Sequence, residues 1–382
     1  MPSERPVYLD YNATTPVDPA VFAAMRPYLE AEFGNPSSGH VYGRAARDAV
    51  DRARRQVADL LCAAPEEIVF TGGGSEADNL AILGCALAQL DRGRHIVTSA
   101  VEHPAVVAAC RYLQRWHGFE VTAVPVDGTG SVDPDDVRRA IRADTILVTV
   151  MHAQNEVGTL QPVTEIATVA HEAGVIFHSD AAQSVGKVPT RVAELGVDLL
   201  ALAGHKLYGP KGVGALYVRA GIVLEPLIHG AEQERGLRAG TENVAGIVGL
   251  GTACALADTE LREGGGHLCA LRDDLFSRLA AAIPDLRLHG HPERRLPNTL
   301  NVGVSGIAGA ALLAEAPGVA ASTGSACHAG RTEPSGILLA MGLSREEALT
   351  AVRLSLGRFT TEGDVWRAAD ALTAAAVRAR GA

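Results

Sequence analysis

Short apolar runs alternate with amphipathic helical patterns from about residue 16 to residue 260. Each run is followed by glycine or polar residues, which is typical of buried strands in a sheet covered by helices. The pattern predicts an α/β fold with a mostly parallel seven-stranded sheet. The predicted strands are 67–70, 95–99, 121–125, 145–151, 175–178, 197–203 and 214–218, and the main helices are 36–61, 75–90, 104–117 and 163–173.

The last third of the chain has a different order of elements. Past the glycine-rich stretch 263–266, which reads as a kink or a domain junction, we predict a helix at 268–283, a strand at 299–304 and a helix at 362–379. A single core seldom serves more than roughly 250–300 residues. We therefore predict a large domain over residues 16–261 and a smaller α+β domain formed by residues 1–15 and 262–382. The placement of residues 1–15 rests on the family resemblance described below.

Composition and charge narrow the classes of function. Hydrophobic residues make up 47% of the chain and charged residues 20%, as in ordinary globular proteins. The formal net charge of −10 argues against direct binding to nucleic acid, which needs a basic surface. We expect no apolar stretch near the roughly 18 residues that span a bilayer, and we find no secretory apolar region at the N-terminus. The expected location is the cytoplasm, with no membrane contact.

The most informative residues stand at the ends of predicted strands. Lys206 follows the apolar run 197–203, and Asp180 follows the run 175–178. Open α/β sheets place their chemistry at the carboxyl ends of strands. A lysine and a carboxylate that meet there are the two groups that hold pyridoxal phosphate (PLP), as Schiff-base amine and as partner of the pyridine nitrogen. Taken alone, two such residues more often form a simple ion pair, and only the rest of the chain favours the cofactor.

A glycine-rich loop at residues 71–76 predicts a phosphate site. Gly72, Gly73 and Gly74 let the backbone approach an anion, and Ser75 begins a helix whose N-terminus attracts one. The alternative is that Ser75 acts only as a helix cap. The spacing fits neither a Walker loop nor a dinucleotide fingerprint, so we expect a single ester phosphate.

Other candidates are open to two interpretations each. His103, after the strand 95–99, could stack on a flat ring and move protons, or be structural. Arg353 lies in an apolar stretch and needs an anion, either a substrate carboxylate or a structural salt bridge. Cys327 lies among small residues and is either a loop nucleophile or an unreactive thiol. His289 and His291 have no third ligand at a usual spacing, so we expect a surface turn and no metal site.

Together these residues resemble the cysteine desulfurases, class V enzymes of PLP fold type I. The resemblance covers essentially the whole chain, in the family's order and spacing. It is carried by residues 8–16 (YLDYNATTP), 33–38 (FGNPSS), the glycine loop, Asp180, Lys206, 238–241 (RAGT) and 324–327 (GSAC). It implies PLP as the cofactor, L-cysteine as the substrate, a homodimer with shared sites, and a separate sulfur-acceptor protein.

The resemblance also implies residue roles. Lys206 would form the Schiff base, His103 would stack on the ring and shuttle protons, and Cys327 would attack the substrate sulfur, giving an enzyme persulfide and alanine. Asp180 would hold the pyridinium nitrogen, and Gln183 the phenolic oxygen. The full cofactor-binding set is Lys206, Asp180, Gln183, His205, Gly74, Ser75, Thr241 from the partner subunit, His103 and Asn155. The substrate-binding set is Arg353, Asn155 and Asn35.

The sequence departs from the family pattern at a few positions and leaves alternatives open. Ala203 stands where a phosphate-binding serine is usual, Gln154 replaces the commoner asparagine, and Ala231-Glu232 interrupts a usual glycine run. Selenocysteine lyase is the closest alternative, and a sulfur-relay scaffold is an alternative of another class. The short C-terminal tail favours a dedicated pathway, with DNA phosphorothioation as the candidate and Fe–S cluster assembly or tRNA thiolation otherwise.

Overall fold

The computed structural model describes residues 5–264, 266–323 and 333–381. Its strands are β1 Val7–Tyr8, β2 Ile68–Thr71, β3 His95–Ser99, β4 Glu120–Val124, β5 Thr145–Thr149, β6 Ile176–Asp180, β7 Leu199–Ala203, β8 Gly214–Val218, β9 Leu286–His289, β10 Thr299–Val304, β11 Val319–Ala320 and β12 Ala351–Ser355. Its helices are α1 Pro19–Glu30, α2 Val41–Leu61, α3 Gly74–Asn79, α4 Cys85–Ala88, α5 Pro104–His117, α6 Pro134–Ala140, α7 Val163–Glu172, α8 Val192–Leu195, α9 Val244–Arg262, α10 His267–Ala282, α11 Gly309–Ala314, α12 Gly336–Ala340, α13 Arg345–Leu349 and α14 Glu362–Gly381.

Seven strands form the central sheet, in the order β2-β8-β7-β6-β5-β3-β4. The strands from β7 to β4 are parallel, while β8 is antiparallel to both of its neighbours. All residues of β3, β5, β7 and β8 are buried, which is why these segments show no polar–apolar alternation. The seven strands coincide with the seven predicted ones, and the mostly parallel α/β fold is confirmed.

Two apolar clusters cover the two faces of this sheet. One contains Leu200 and Leu202 of β7 together with side chains of α2, α7 and α9. The other contains Leu199 and Ala201 of the same strand together with side chains of α3 and α5. Successive residues of a strand point to opposite faces, so β7 is covered by helices on both sides. This burial holds its C-terminal end, and therefore Lys206, in a fixed position.

The C-terminal part has its own sheet and its own apolar cluster. Strand β10 lies between β9 and β12 and is antiparallel to both. Helices α10 and α14 pack on each other, and their apolar side chains join those of β10 and β12. The N-terminal strand β1 pairs with β11, and Val7 and Leu9 belong to this cluster. The residue boundaries of the two domains stay a prediction.

Some helices differ in detail from the sequence prediction. The helix expected from residue 36 begins at Val41, because the preceding residues turn around Asn35, whose Oδ1 accepts from Ser37 N at 2.9 Å. The helix expected over 75–90 is interrupted by a π-helical turn, where the Gly84 carbonyl accepts from Glu225 N at 3.0 Å. The glycine-rich stretch near residue 264 separates α9 from α10.

Helix α9 corrects one expectation from the sequence. Its 19 residues are long and apolar enough, by length and composition, to cross a bilayer. The expectation that no apolar stretch approaches this length is therefore wrong. Half of the stretch is buried in the molecule, and α9 packs on α1 and α2. The helix is apolar because it completes the core on one face of the large sheet.

Candidate active site

Five strands of the large sheet end at the same edge, and the candidate residues follow them. Strand β6 ends with Asp180, β7 leads into the turn Gly204–Lys206, and β3 leads to His103. Strands β2 and β5 lead to the glycine loop and to Asn155. Because β2, β3, β5, β6 and β7 run in the same direction, these residues line one crevice at their carboxyl ends.

The Lys206 amine is held by backbone carbonyl groups. Its Nζ donates to Asn12 O at 2.5 Å and to Ala13 O at 2.8 Å. Burial lowers the pKa of Lys206 to about 8, the positive charge of Arg353 adds to this, and the negative charge of Asp180 opposes it. Such an amine is partly neutral near physiological pH, and the neutral form is the one that attacks an aldehyde.

Asp180 and His103 lie beside each other in the crevice. Asp180 Oδ1 accepts from Ala182 N at 2.8 Å, and burial raises the pKa of this carboxyl group. His103 caps α5, where its Nδ1 accepts from Ala105 N at 3.1 Å, so a neutral ring carries its proton on Nε2. Burial lowers the pKa of His103 and favours this neutral form. A neutral imidazole next to a buried carboxyl group suits ring stacking and proton transfer.

A second carboxyl group, that of Asp78, lies beside Asp180 and is not among the residues predicted from the sequence. Asp78 on α3 is 2% exposed, and the ligand atoms of Asp78, His103 and Asp180 all lie within 4.8 Å of one another. His178 Nε2 is 3.6 Å from Asp78 Oδ1, and neither atom has a hydrogen-bond partner among the described residues. Burial, with the negative charge of Asp180, raises the pKa of Asp78 well above its ordinary value. Asp78 is therefore expected to be neutral.

The spacing of residues in β6 could have indicated that His178 lies near Asp180. His178 and Asp180 are two residues apart in β6, so their side chains point to the same face of the sheet. The fully buried His178 shares a hydrogen bond of 2.8 Å between its Nδ1 and Thr149 Oγ1. Burial lowers the pKa of His178 to about 3, so the ring is neutral.

The glycine loop packs closely against the sheet. A Cβ atom at Gly74 would lie 3.1 Å from the Ala203 Cβ, so glycine and alanine together allow this contact. Gly73 has a φ of 148°, a conformation that favours glycine. Next to Lys206, His205 Nδ1 lies 3.1 Å from Thr14 Oγ1. Burial lowers the pKa of His205 to about 4, so this ring is neutral and can donate a hydrogen bond to an anion.

Arg353 is 4% exposed and already has an anionic partner. Its Nη2 donates to Asp10 Oδ1 at 2.7 Å, and its Nη1 donates to Asn155 O at 3.1 Å. The structural salt bridge that the sequence left open is therefore present. Arg353 Nε is buried without a hydrogen-bond partner in the described part of the chain, and Nη1 and Nη2 each have a second N–H beyond these two contacts. Sequence spacing could not indicate the Asp10 partner, which is 343 residues away.

The N-terminal segment connects several site residues. Asn12 O accepts from Gln183 Nε2 at 2.8 Å as well as from Lys206 Nζ. The Asn12 side chain is 1% exposed, and its Nδ2 donates to Asn155 O at 3.1 Å and to Thr299 Oγ1 at 2.8 Å. The sequence of this segment indicates only the family resemblance, whereas the structure places its backbone against the lysine.

Three predicted residues are not joined to this group by the described contacts of one chain. Thr241 is exposed in the loop before α9, and Asn35 is exposed before α2. Cys327 lies outside the described residues. The Thr241 loop is nevertheless fastened to the glycine loop, because Arg238 Nε pairs with Glu76 Oε1 at 2.9 Å.

Comparisons with known proteins agree with this geometry. The family model for class V aminotransferases matches residues 7–367. A cysteine desulfurase IscS from Dictyoglomus turgidum is 48% identical over 364 residues, which cover 95% of this chain and 92% of the relative. A solved NifS-like protein has a TM-score of 0.91 at 37% identity, covering 98% of this chain and 100% of its own. A structure described as SspA in complex with cysteine has a TM-score of 0.82 at 38% identity, covering 93% and 99%.

The chain belongs to the cysteine desulfurases of the class V aminotransferase family. The family resemblance, the enzyme class and PLP as the cofactor are thereby confirmed.

The residues of the crevice fit this cofactor. Lys206 offers an amine with a lowered pKa for the Schiff base, and Asp180 offers a buried carboxyl group for the pyridine nitrogen. The close-packed backbone around Gly74 and the neutral His205 suit a phosphate. Assignment of each residue to a part of the cofactor stays a prediction.

Two histidine-containing groups bear on the question of a metal. Asp78, His103 and Asp180 have the spacing of metal ligands, but they occupy the place expected for the pyridine ring. His289 Nδ1 pairs with Asn301 Oδ1 at 2.8 Å in the small sheet. His291 Nδ1 accepts from the backbone of the following turn, at 3.1 Å from Glu293 N. His289 and His291 thus serve separate local structures.

Proposed function

We propose that the enzyme binds L-cysteine in the crevice around Lys206, releases L-alanine and transfers the sulfur to Cys327 as a persulfide. The observation that carries this proposal is the partly buried Lys206 amine, with its pKa of about 8, next to the buried Asp180. PLP, when bound, supplies a ring that accepts the negative charge developing on the substrate. The related structure described as SspA in complex with cysteine supports cysteine as the ligand of this crevice.

Three residues are proposed to handle protons. Lys206 Nζ, once released by the substrate amine, takes the α-proton of cysteine. Asp180 holds a proton on the pyridine nitrogen through its negative charge. His103, whose Nδ1 is engaged with Ala105 N, exchanges protons through Nε2. The substrate carboxylate is proposed to be held by Arg353, Asn155 and Asn35.

Sulfur transfer is proposed to use the Cys327 thiolate as the nucleophile. A bond forms between Cys327 Sγ and the substrate sulfur, and the bond between that sulfur and the substrate β-carbon breaks. The electron pair of the broken bond stays with carbon, which takes up a proton to become the methyl group of alanine. The step balances without an external oxidant or reductant, and Cys327 is left as a persulfide for an acceptor protein.

The proposed active unit is a homodimer in which Thr241 completes the phosphate site of the partner subunit. Thr241 is exposed in a single chain, although its loop is fastened to the glycine loop through Arg238 and Glu76. A residue at this place is available to a second subunit. The acceptor protein, the cytoplasmic location and the absence of direct nucleic-acid or membrane binding stay predictions.

Anaerobic incubation with L-cysteine and a thiol reductant tests the proposed reaction. We expect equal amounts of alanine and sulfide from the wild type. Lys206→Ala should form neither product, and Cys327→Ala should form neither while keeping the visible absorption of the cofactor. Wild-type alanine formation by Cys327→Ala would exclude the persulfide mechanism.

The relatives are named as cysteine desulfurases, which favours cysteine as the substrate over the two alternatives from the sequence. Selenocysteine lyase is tested by comparing kcat/KM for cysteine and selenocysteine. A scaffold without catalysis predicts no alanine at all. DNA phosphorothioation, Fe–S cluster assembly and tRNA thiolation stay predictions for the destination of the sulfur.

A further inference from the structure

Lysine is rare in this chain and is confined to one region. Of 34 lysine and arginine residues, only Lys187, Lys206 and Lys211 are lysines. The positive charges of all three help to lower the pKa of His205, after the larger effect of burial. Lys206 is the proposed Schiff-base lysine, and Lys211 is exposed. Lys187 has no part in the proposed reaction, yet it lies close to the crevice.

The Lys187 amine points at Gln183. Its Nζ donates to Gln183 O at 2.9 Å and to Gln183 Oε1 at 3.0 Å. Gly186, with a φ of 75°, lets the chain turn back so that the two side chains meet. No carboxylate among the described residues forms a salt bridge with Lys187. The hydrogen-bond partners of Lys187 Nζ are therefore the neutral side-chain amide and the backbone carbonyl of Gln183.

This contact decides which way the Gln183 amide faces. A glutamine side chain has one acceptor oxygen and one donor nitrogen, and an ammonium group can only donate. Lys187 therefore keeps Gln183 Oε1 on its own side and leaves Nε2 facing Asn12 O, at 2.8 Å. One of the two N–H bonds of Nε2 is used in this way, and the other is the donor proposed for the phenolic oxygen of PLP.

The same contacts connect Lys187 to Lys206. Asn12 O accepts from Gln183 Nε2 and, at 2.5 Å, from Lys206 Nζ. Three hydrogen bonds thus join the two lysines through Gln183 and Asn12. If the amide were reversed, its oxygen would face the Asn12 carbonyl and the phenolic oxygen, and both contacts would be repulsive.

A lysine fits this position better than an arginine. Burial lowers the pKa of Lys187 to about 7, and the positive charges of Lys206 and Arg353 add to this. The compact ammonium group can direct its N–H groups at both oxygens of Gln183, whereas a guanidinium group presents five donors in a rigid plane. This difference gives a reason for a lysine at position 187 in a chain that has only three lysines.

We propose that Lys187 is a positioning residue that fixes the Gln183 amide with its N–H groups toward the phenolic oxygen of the cofactor. A donor at this oxygen weakens its hold on the proton of the Schiff-base nitrogen. The positive charge of Lys187 acts in the same direction. Loss of Lys187 should therefore raise the pKa of that nitrogen. This inference rests on the proposed role of Gln183.

Lys187→Met tests the proposal, because it removes the donor and the charge while keeping most of the length of the side chain. A pH titration of the visible absorption of the holoenzyme reports the pKa of the Schiff-base nitrogen. We expect a rise of about one unit, the size of one hydrogen bond to a charged group. The dissociation constant of PLP should rise about tenfold on the same grounds. Lys187→Gln, which keeps a donor, should recover most of the wild-type value.

Two further variants separate the possible causes. Lys211→Met removes a nearby exposed charge without touching Gln183, and should shift the pKa by less than about 0.3 units. Gln183→Leu should raise the pKa as Lys187→Met does, and the double variant should add little to Gln183→Leu alone. These results together support the proposal.

Three different results would contradict the proposal, and each has its own meaning. If Gln183→Leu raises the pKa and Lys187→Met does not, Gln183 keeps its proposed role and the positioning role of Lys187 is wrong. If neither variant changes the pKa, the role of Gln183 itself is wrong. A Lys187→Met enzyme that melts at a lower temperature with an unchanged pKa would show that Lys187 only supports the fold.

Discussion

Lys206 and Lys187 are amines whose chemistry is set by their surroundings. Burial lowers the pKa of Lys206 to about 8 and that of Lys187 to about 7, below the ordinary value of about 10.4. Because the chain has only three lysines, an NMR spectrum of cofactor-free enzyme labelled at the lysine ε-carbon should contain three signals. Two of them should titrate near pH 8 and pH 7, and Lys187→Met and Lys211→Met assign them. A Lys206 signal that titrates near pH 10 would contradict the account.

The two buried carboxyl groups of the crevice should behave differently. Burial raises the pKa of both groups. Asp180 is proposed to be charged because it faces the pyridine nitrogen of the cofactor, whereas Asp78 is proposed to stay neutral. Asp180→Asn should therefore lower kcat by about 100-fold or more, as loss of a preorganised electrostatic group does. Asp78→Asn replaces a neutral group by another of the same shape and should stay within about threefold of wild type. Steady-state alanine formation measures both, and equal losses would show that Asp78 also carries a charge.

At the residue level, the sequence shows which side chains can be reactive more clearly than it shows which groups those side chains contact. Asp180 and Lys206 could be selected because each stands at or just after the end of a buried strand. The Asp10 partner of Arg353 and the Gln183 contact of Lys187 could not, since both depend on how the chain turns back in three dimensions. The structure therefore shows contacts of the predicted site residues that the sequence did not indicate. It also adds Asp78 and Lys187 to the residues around the crevice.

At the scale of elements, buried strands are the most predictable part of this fold. Strands covered on both faces need uninterrupted apolar segments, and these are visible in the sequence. Helix starts are less visible, because local hydrogen bonds such as that of Asn35 decide them. The π-helical turn Leu80–Gly84 could not be expected either, since it depends on a contact with the distant Glu225.

Helix α12 gives a test at this scale. Ser335 caps it by accepting from Ile337 N at 3.1 Å, and its Oγ also donates to the buried Glu156 Oε2 at 2.5 Å. Ser335→Ala should lower the free energy of unfolding by about 2–3 kcal/mol, since it removes a helix cap and leaves the buried Glu156 acceptor unpaired. Ser344→Ala removes an exposed cap of α13 and should cost about 1 kcal/mol. Urea unfolding measures the free energy of unfolding of the two variants. Equal losses would show that the contact between Ser335 and Glu156 adds nothing beyond a helix cap.

At the scale of the whole molecule, the central question is whether one chain contains a complete site. Thr241 is exposed in the single chain, and its proposed place is the phosphate site of the partner subunit. Thr241→Ala should weaken PLP binding about tenfold through loss of one hydrogen bond to a charged group. A hybrid dimer of one Lys206→Ala chain and one Thr241→Ala chain should regain one site of wild-type affinity. No recovery in a cofactor titration would place Thr241 in its own subunit's site.

Detection of a persulfide on Cys327 tests the proposed mechanism most directly. Wild-type enzyme treated once with L-cysteine, without a reductant, should yield a peptide containing Cys327 with the added mass of one sulfur atom. Lys206→Ala, treated in the same way, should yield the unmodified peptide, because the carbon–sulfur bond is not activated without the Schiff-base amine. Mass spectrometry of alkylated peptides measures this directly. Sulfur found on another cysteine, or on Cys327 in Lys206→Ala, would contradict the proposed mechanism.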